Sequence, residues 1–527
     1  MTTEEKTEYY TTTTYTTTTS TITVPGLESS LSEDDKKAVQ EDTVLAATIE
    51  LDERSEIVTA KAEYDENGNH ISFTRSKAES RIVYKMDFIF VMPFVAVINF
   101  LQFFDKSAIN YAAAMGIKTS THLTGSQFSW VGSIFYLGYL LFQIPSTFLI
   151  QKFSIGKYVG VFISIWGLVL LLTYKVTNFS QLAGLRFLLG FFEAGIYPSC
   201  VMVISALYRR SEQSSRIGII YICNGISMIL GGLISYGIAK LNSHGLLPWQ
   251  WIMIILGAVT IFFGFICFFF MVDNPKAKVL HLTAEQEKIV DERKADNAVV
   301  QTKQFKMSHI YESLRESRFY AMNLIALLIT FQNSALSNFN TTITMGFGFT
   351  SLQAILLTIP SGAGTCLYIL VAVFFNRRYG QTLYIACVFL VLAILGLILL
   401  IVIPTFKVKL VGLVMVWGYC ATFVMLLTAI ANNVTGYTKK IFYNCSLMIF
   451  YTLGNFIGPF MMVESQAPLY VGGMIGYIVS NALCIVLFLY IRWVMVKNNR
   501  ERLANPVKIE LVEDMTDVEN KNFIYRI

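Results

Sequence analysis

The sequence predicts an all-α membrane protein of twelve transmembrane helices arranged as two six-helix bundles. Three observations carry that expectation. The 527-residue chain is 54% hydrophobic and only 15% charged, with a mean hydropathy of +0.53, too apolar for a water-soluble domain. Twelve apolar stretches of about 20 residues, the length of helix that crosses roughly 30 Å of hydrocarbon, recur between Met86 and Trp493. They divide six and six around a polar segment at 273–318, a plan that lets two packed halves enclose a pathway.

Residues 1–85 come first and are a different material. The tract TTTTYTTTTS at 11–20 and its surroundings lack apolar helical periodicity, so a disordered tail is expected. The segment holds 17 Asp+Glu against 9 Lys+Arg, a net of −8, so the remainder carries +13 to reach the chain's +5. A threonine tract on a cytosolic tail reads as spacing, with phosphorylation as the functional alternative.

The first bundle is expected over 86–272, with spans at 86–115, 128–150, 158–175, 181–208, 216–240 and 249–272. The second is expected over 319–493, with spans at 319–343, 352–375, 381–403, 409–432, 442–463 and 469–493. Pro145 and Pro360 lie in or near spans two and eight, where a missing N–H bends a helix. Gly454 and Gly458 give span eleven a GxxxG spacing suited to close helix approach. Between the halves, the 273–318 linker holds 8 acidic and 9 basic residues. Thr283 and Gln286 form a capping-box pattern there, opening a short helix through about Asn297. Residues 494–527 are expected to be a C-terminal tail.

No apolar stretch precedes Met86, so the first span is expected to direct insertion, with both termini cytosolic. Short loops on that side carry nine basic residues (Lys152, Lys157, Arg209, Arg210, Arg216, Arg377, Arg378, Lys439, Lys440), against five opposite (Lys118, Lys175, Lys240, Lys407, Lys409). The bias agrees with the positive-inside rule.

Several functions are excluded by what the residues lack. All eight cysteines fall within the spans without a CxxC, so neither a disulfide framework nor a zinc site is expected. His122 and His244 lie in loops without clustered ligands, so no metal is expected. No phosphate-binding loop, dinucleotide motif or Ser/His/Asp constellation appears, which removes the case for an ATP-driven pump or an enzyme. No cofactor and no nucleic acid partner is expected. Asn178 and Asn340 begin glycosylation sequons, but both lie close to helix ends and read as chance matches.

Four charges inside the apolar spans carry the chemistry: Asp105 and Lys106 in the first, Arg186 and Glu193 in the fourth. A charge at membrane depth costs roughly 3 kcal/mol on insertion scales and persists where it serves a pathway or a bound ion. Helix rise places Lys106 and Arg186 in the same outer half of the membrane. Arg186 and Glu193 are seven residues apart, hence on one helix face and about 10.5 Å apart along the axis. The planar guanidinium matches a carboxylate, so Arg186 is the first choice for an anionic substrate, with Lys106 as a second point charge. Apolar neighbours disfavour a charged Glu193, making it the candidate for proton uptake and release, with Asp105 the rival. The alternative is structural: the four charges neutralise one another and hold the bundle together.

Polar residues near these charges suit a cavity. Asn110 follows Lys106 by four, Tyr139 and Gln143 share a face in span two, and Tyr197 follows Glu193 by four. Asn333, Asn338 and Asn340 lie on span seven and Asn455 on span eleven. Singly, such residues serve as interhelical glue or interface anchors. Together they describe a polar hollow.

The stretch Gln102-Phe-Phe-Asp-Lys-Ser-Ala-Ile-Asn-Tyr-Ala112 resembles the first-helix motif of the anion:cation symporters of the major facilitator superfamily, in particular the fungal allantoate-permease-like group. Arg186-Phe-Leu-Leu-Gly-Phe-Phe-Glu-Ala-Gly-Ile-Tyr-Pro198 is similar to the group's fourth-helix motif and is the most specific match. Trp249-Gln-Trp-Ile, Asp273-Asn-Pro-Lys-Ala-Lys and Asn455-Phe-Ile-Gly-Pro459 add later matches, so the resemblance covers about 85–495. It implies the major facilitator fold, alternating access, and proton-coupled uptake of a small organic anion such as allantoate, nicotinate, a related vitamin or amino-acid-like acid, or a sulfonate. It carries functional weight onto Arg186 and Glu193, and places Lys106 where relatives often have arginine. The loop after span two, Leu149-Ile-Gln-Lys-Phe-Ser-Ile-Gly156, departs from the superfamily pattern by lacking an acidic residue before the basic one.

The expectation is therefore a monomeric, multi-pass plasma-membrane permease, not an enzyme. Substrate contacts are expected from Lys106, Arg186, Asn110, Tyr139, Gln143, Tyr197 and Asn333, and proton coupling from Glu193 or Asp105. A non-transporting nutrient sensor of the same fold is the alternative.

Overall fold

A computed structural model describes residues 49–52, 57–60, 81, 83–124, 126–208, 210–241, 245–272, 283, 286–290, 306–467, 469–505 and 515–527. Its twelve apolar helices are α1 (Val83–Ala114), α2 (Gln127–Ile150), α3 (Ile155–Lys175), α4 (Phe179–Ile204), α5 (Arg216–Ala239), α6 (Pro248–Phe270), α7 (Ser317–Gly346), α8 (Ser351–Tyr379), α9 (Thr382–Val402), α10 (Val408–Asn433), α11 (Tyr437–Met461) and α12 (Val471–Ala504). All twelve expected spans form. Hydropathy missed most at two ends: α11 starts earlier because Thr438, Lys439 and Tyr443 are buried polar residues, and α12 continues through the charged run 497–502, a solvated helix face.

An even number of crossings puts the start of α1 and the end of α12 on one face, here the terminal face, with α1 ending on the opposite face. A linker helix, Met307–Arg315, precedes α7 on the terminal face. The capping box forms as expected, with the Thr283 N–H donating to Gln286 Oε1 and the Gln286 N–H to Thr283 Oγ1. The linker beyond residue 290 up to 305, and most of the N-terminal tail, lie outside the described residues. Within that tail Ile49–Asp52 pairs antiparallel with Ile57–Ala60. Ile49 and the β-branched run Ile57-Val-Thr59 favour a strand pair despite the polar surroundings.

Within the first bundle α3 packs on α6, α2 on α4 and α1 on α5; in the second, α9 packs on α12, α8 on α10 and α7 on α11. Each pairing repeats six helices later, which is the internal symmetry expected of a carrier built from repeats. The halves meet where α5 faces α8, α2 faces α11 and α1 faces α7. At the α5–α8 crossing a Cβ on Gly225 would sit 2.7 Å from the Gly362 carbonyl, and one on Gly362 2.6 Å from that of Gly225. Only glycine on both sides allows this approach.

Toward the opposite face the halves are sealed. The Thr341 N–H donates to Asn110 Oδ1 at 2.9 Å and the Thr341 hydroxyl to the Asn110 carbonyl at 2.7 Å. Phe128 of α2 meets Phe339 of α7 edge-on at 5.1 Å, and Trp130 of α2 meets Phe460 of α11 at 4.8 Å.

The sequon asparagines are occupied structurally. Asn178 accepts from the Gln181 N–H as the cap of α4, and Asn340 is buried in α7.

Candidate functional site

α4 is not one continuous helix. It runs from Phe179 to Glu193, turns at Ala194-Gly195, and resumes at Ile196. Pro198 has no N–H to return to the Ala194 carbonyl, which favours a break at this point. Gly195 is required there because a Cβ would collide with the Tyr158 and Ser146 hydroxyls. The break leaves Glu193 at the end of a rigid segment, fully buried.

Lys106 Nζ lies 2.8 Å from Glu193 Oε1, joining α1 to α4. The ammonium also stands over the rings of Phe135, at 5.4 Å, and Tyr139, at 5.6 Å, both from α2. Its side chain is 21% exposed while that of Glu193 is 0% exposed. Lys106 is thus the accessible member of the pair.

Arg186 is buried and interacts electrostatically with Glu193, Asp105 and Tyr136. Both cations act on the same carboxylate of the protein, Lys106 by direct contact and Arg186 electrostatically. Among the described residues, Arg186 Nη2 is a buried donor without a hydrogen-bond partner.

Asp105 points the other way from its neighbour Lys106, into the first bundle. Trp166 Nε1–H donates to Asp105 Oδ2 at 2.6 Å and the Thr260 hydroxyl to the same oxygen at 3.2 Å. These two donors fix its orientation and occupy one oxygen, and among the described residues Oδ1 has no hydrogen-bond partner.

The remaining expected residues fall in four places. Tyr139 lies against Lys106, and Tyr197 shares a 2.7 Å hydroxyl contact with Tyr221 of α5. Asn333 donates to Asn455 Oδ1 at 2.7 Å and accepts from the Tyr419 hydroxyl at 2.8 Å, making a polar group on the second bundle. Asn110 and Asn338 lie elsewhere: Asn110 is in the seal with Thr341, and Asn338 donates to the Ser334 carbonyl beside Gly132 of α2. Gln143, one turn from Tyr139, has a buried Oε1 without a hydrogen-bond partner among the described residues.

Sequence reasoning named Tyr197 but missed Tyr221, Phe423 and Tyr451, which continue from it across the halves. Tyr197, Tyr221, Phe423 and Tyr451 form a row with centroid spacings of 6.4, 6.3 and 5.3 Å, crossing from α4 and α5 to α10 and α11. Tyr451 also interacts with Lys106 electrostatically. Its signal was its place four residues before Asn455 on one face of α11. Gln102, one turn before Lys106, reaches Glu193 as well.

A polar, charged centre between two six-helix bundles defines a membrane carrier, and comparison with known proteins agrees. Residues 95–459 match the Major Facilitator Superfamily. The thiamine pathway transporter THI73 of Saccharomyces cerevisiae is 33% identical over 452 residues, covering 84% of this chain and 86% of that protein. The allantoate permease of the same yeast is 28% identical over 471 residues, covering 85% and 87%. A bacterial homologue of the human lysosomal transporter Spinster, solved inward-facing and occupied, superposes with a TM-score of 0.57 at 16% identity, over 80% of this chain and 99% of that one. The chain belongs to the major facilitator superfamily, within its fungal allantoate-permease-like group. It is a transporter by family, not an enzyme.

Proposed function

We propose that the protein is a symporter that takes up a small organic anion together with a proton, with its terminal face in the cytosol of a plasma-membrane permease acting as a monomer. The observation that carries this reading is the Lys106–Glu193 ion pair, 2.8 Å long with only the lysine accessible.

Glu193 and an anionic substrate compete for the same ammonium. With both carboxyls ionised, Asp105, Glu193, Lys106 and Arg186 sum to zero charge in the empty carrier. A proton on Glu193 frees Lys106, and a monovalent carboxylate or sulfonate then restores the sum to zero. Burying an uncompensated charge costs several kcal/mol, so only the balanced forms, empty or carrying anion plus proton, reorient readily. The stoichiometry is one proton per monovalent anion. Arg186 keeps the local field positive, and Trp166 and Thr260 hold Asp105 as its counter-ion. Tyr139, Gln143, Tyr197 and the Asn333–Asn455 pair supply hydrogen-bonding groups for the rest of the substrate. Allantoate and thiamine-pathway compounds, after the names of the yeast relatives, are the first substrates to try.

The test is uptake of labelled carboxylates and sulfonates into proteoliposomes holding the purified chain, at two external pH values. Accumulation driven by an inward proton gradient supports symport. Accumulation indifferent to the gradient rejects the proton role, and binding without flux for every anion tried favours a sensor.

A further inference from the structure

The segment Thr516–Ile527 is docked along the terminal face of the second bundle. Asp517 is fully buried. Its Oδ2 lies 2.6 Å from Arg318 Nη2 at the start of α7, and its Oδ1 lies 2.8 Å from Lys439 Nζ at the start of α11. Burial alone would push the Asp517 carboxyl up, but Arg318 and Lys439 outweigh it and hold the group below its ordinary range. Glu312, Glu316 and Asp517 converge on one point, and the Lys439 ammonium pairs with all three.

The rest of the segment is read mainly through its backbone. Asn499 of α12 uses both ends of its amide on Tyr525, accepting from the N–H at 2.8 Å and donating to the carbonyl at 2.8 Å. Asn433 of α10 treats Arg526 the same way, at 2.7 and 2.8 Å. The Thr382 N–H opening α9 donates to the Ile527 carbonyl at 3.1 Å. The Thr516 hydroxyl donates to Glu312 of the linker helix at 3.0 Å, and Arg502 donates to the Asp517 carbonyl at 2.8 Å. These partners come from α7, α9, α10, α11, α12 and the linker helix.

The arrangement also survives undocking. Without Asp517, Arg318 retains Glu316 and Lys439 retains Glu312 and Glu316, two cations with two carboxylates. No buried charge is stranded, so docking and release are both accessible states.

α7 and α11 run in the same direction from these cations. The Asn333–Asn455 bond lies about 22–24 Å further along at 1.5 Å per residue. Asp517 ties one end of the helix pair and the asparagines tie its middle.

We propose that Thr516–Ile527 is a detachable strap that joins the terminal-face ends of α7 and α11 through Asp517, so that the second bundle reorients as one body. Asp517 is a positioning residue. The part of this proposal that concerns turnover rests on the transport reading; the docking itself does not.

The test uses the full chain with a site-specific protease sequence inserted between residues 505 and 515. After cutting in detergent, the freed peptide is expected to co-elute with the otherwise wild-type carrier. In Asp517→Asn it is expected to separate, with a lower melting temperature. In proteoliposomes the strap-free carrier is expected to lose Vmax by at least about five-fold, the lower range of coupling effects, with KM within about two-fold; added 515–527 peptide restores it. The proposal is overturned if the wild-type peptide separates at once, if its removal leaves melting and Vmax unchanged, or if KM alone changes. Should Asp517→Asn not fold, the cut wild-type carrier, washed at high salt to strip the peptide, supplies the same readouts. Absence of uptake by the uncut carrier rejects the transport reading, while melting and co-elution still decide the strap.

Discussion

Lys106 and Glu193 form a contact between α1 and α4 that is closed to solvent on the carboxylate side and open on the ammonium side. That asymmetry gives opposite consequences to removing either partner. Lys106→Met leaves Glu193 buried without its cation, a loss of roughly 3 kcal/mol for breaking one side of a buried pair. Glu193→Gln leaves an accessible lysine and costs little stability. Thermal melting of both variants and of the double variant, which is expected to regain most of the Lys106→Met loss, checks this. Equal destabilisation by the two single changes contradicts it.

Transport separates the same residues differently. Glu193→Gln frees Lys106 at every pH, so anion exchange across a liposome membrane is expected to continue while proton-driven accumulation disappears. Lys106→Met is expected to abolish both. The measurement is counterflow alongside gradient-driven uptake in one preparation, and intact accumulation by Glu193→Gln removes that residue from the proton path.

Asp105 depends on Trp166 for its orientation through the 2.6 Å bond. Trp166→Phe keeps the ring packing and removes the donor. The expected destabilisation is about 1.5–3 kcal/mol, the range for hydrogen bonds to charged groups. Because Asp105, which acts electrostatically on Arg186, then loses its fixed position, uptake is expected to fall further than stability alone explains, read as Vmax at equal carrier abundance.

These dependencies show which parts of the molecule a sequence displays. The twelve spans were legible because hydrophobic length is a local property, and the four charges because lipid makes them conspicuous. The break in α4 was foreshadowed by Gly195 and Pro198. Trp166 and Thr260 gave no sign of holding Asp105, since they are 61 and 155 residues away along the chain. Asn110 shares a helix face with Lys106, yet one turn further along α1 it meets α7, and only the packing of the halves distinguishes cavity from seal. The docking of Thr516–Ile527 was hidden for another reason: a few polar contacts specify it, with no periodic apolar stripe.

The seal itself is open to test through Asn110, whose side chain accepts from the Thr341 N–H and whose carbonyl accepts from its hydroxyl. Asn110→Ala removes the side-chain acceptor that the Thr341 N–H and hydroxyl share, at a cost of about 0.5–1.5 kcal/mol to the sealed form. The equilibrium is expected to move toward opening on that face. A cysteine introduced at Asn338 is then labelled faster by an impermeant thiol reagent from that side than in the parent; an unchanged rate shows that the contact does not hold the halves together.

Lys118, between α1 and α2, lies 4.0 Å from the centroid of Phe128 and 5.6 Å from that of Phe339, so it sits on the aromatic contact that closes the same face. Burial lowers its pKa from 10.5 to about 8, with Glu464 opposing the shift. Opening the face hydrates the lysine and returns it toward its ordinary value, so the open form binds the proton more tightly than the sealed form. Below about pH 8 both forms are charged and the balance is flat. As pH rises from about 8 toward 10.5 the sealed form loses its proton first, and the equilibrium shifts toward closure. Labelling of the same Asn338 cysteine is therefore expected to slow across that window, after correction for the reagent's own pH dependence with a surface cysteine. In Lys118→Met the slowing is expected to vanish, and a window that persists unchanged in that variant assigns the effect to another group.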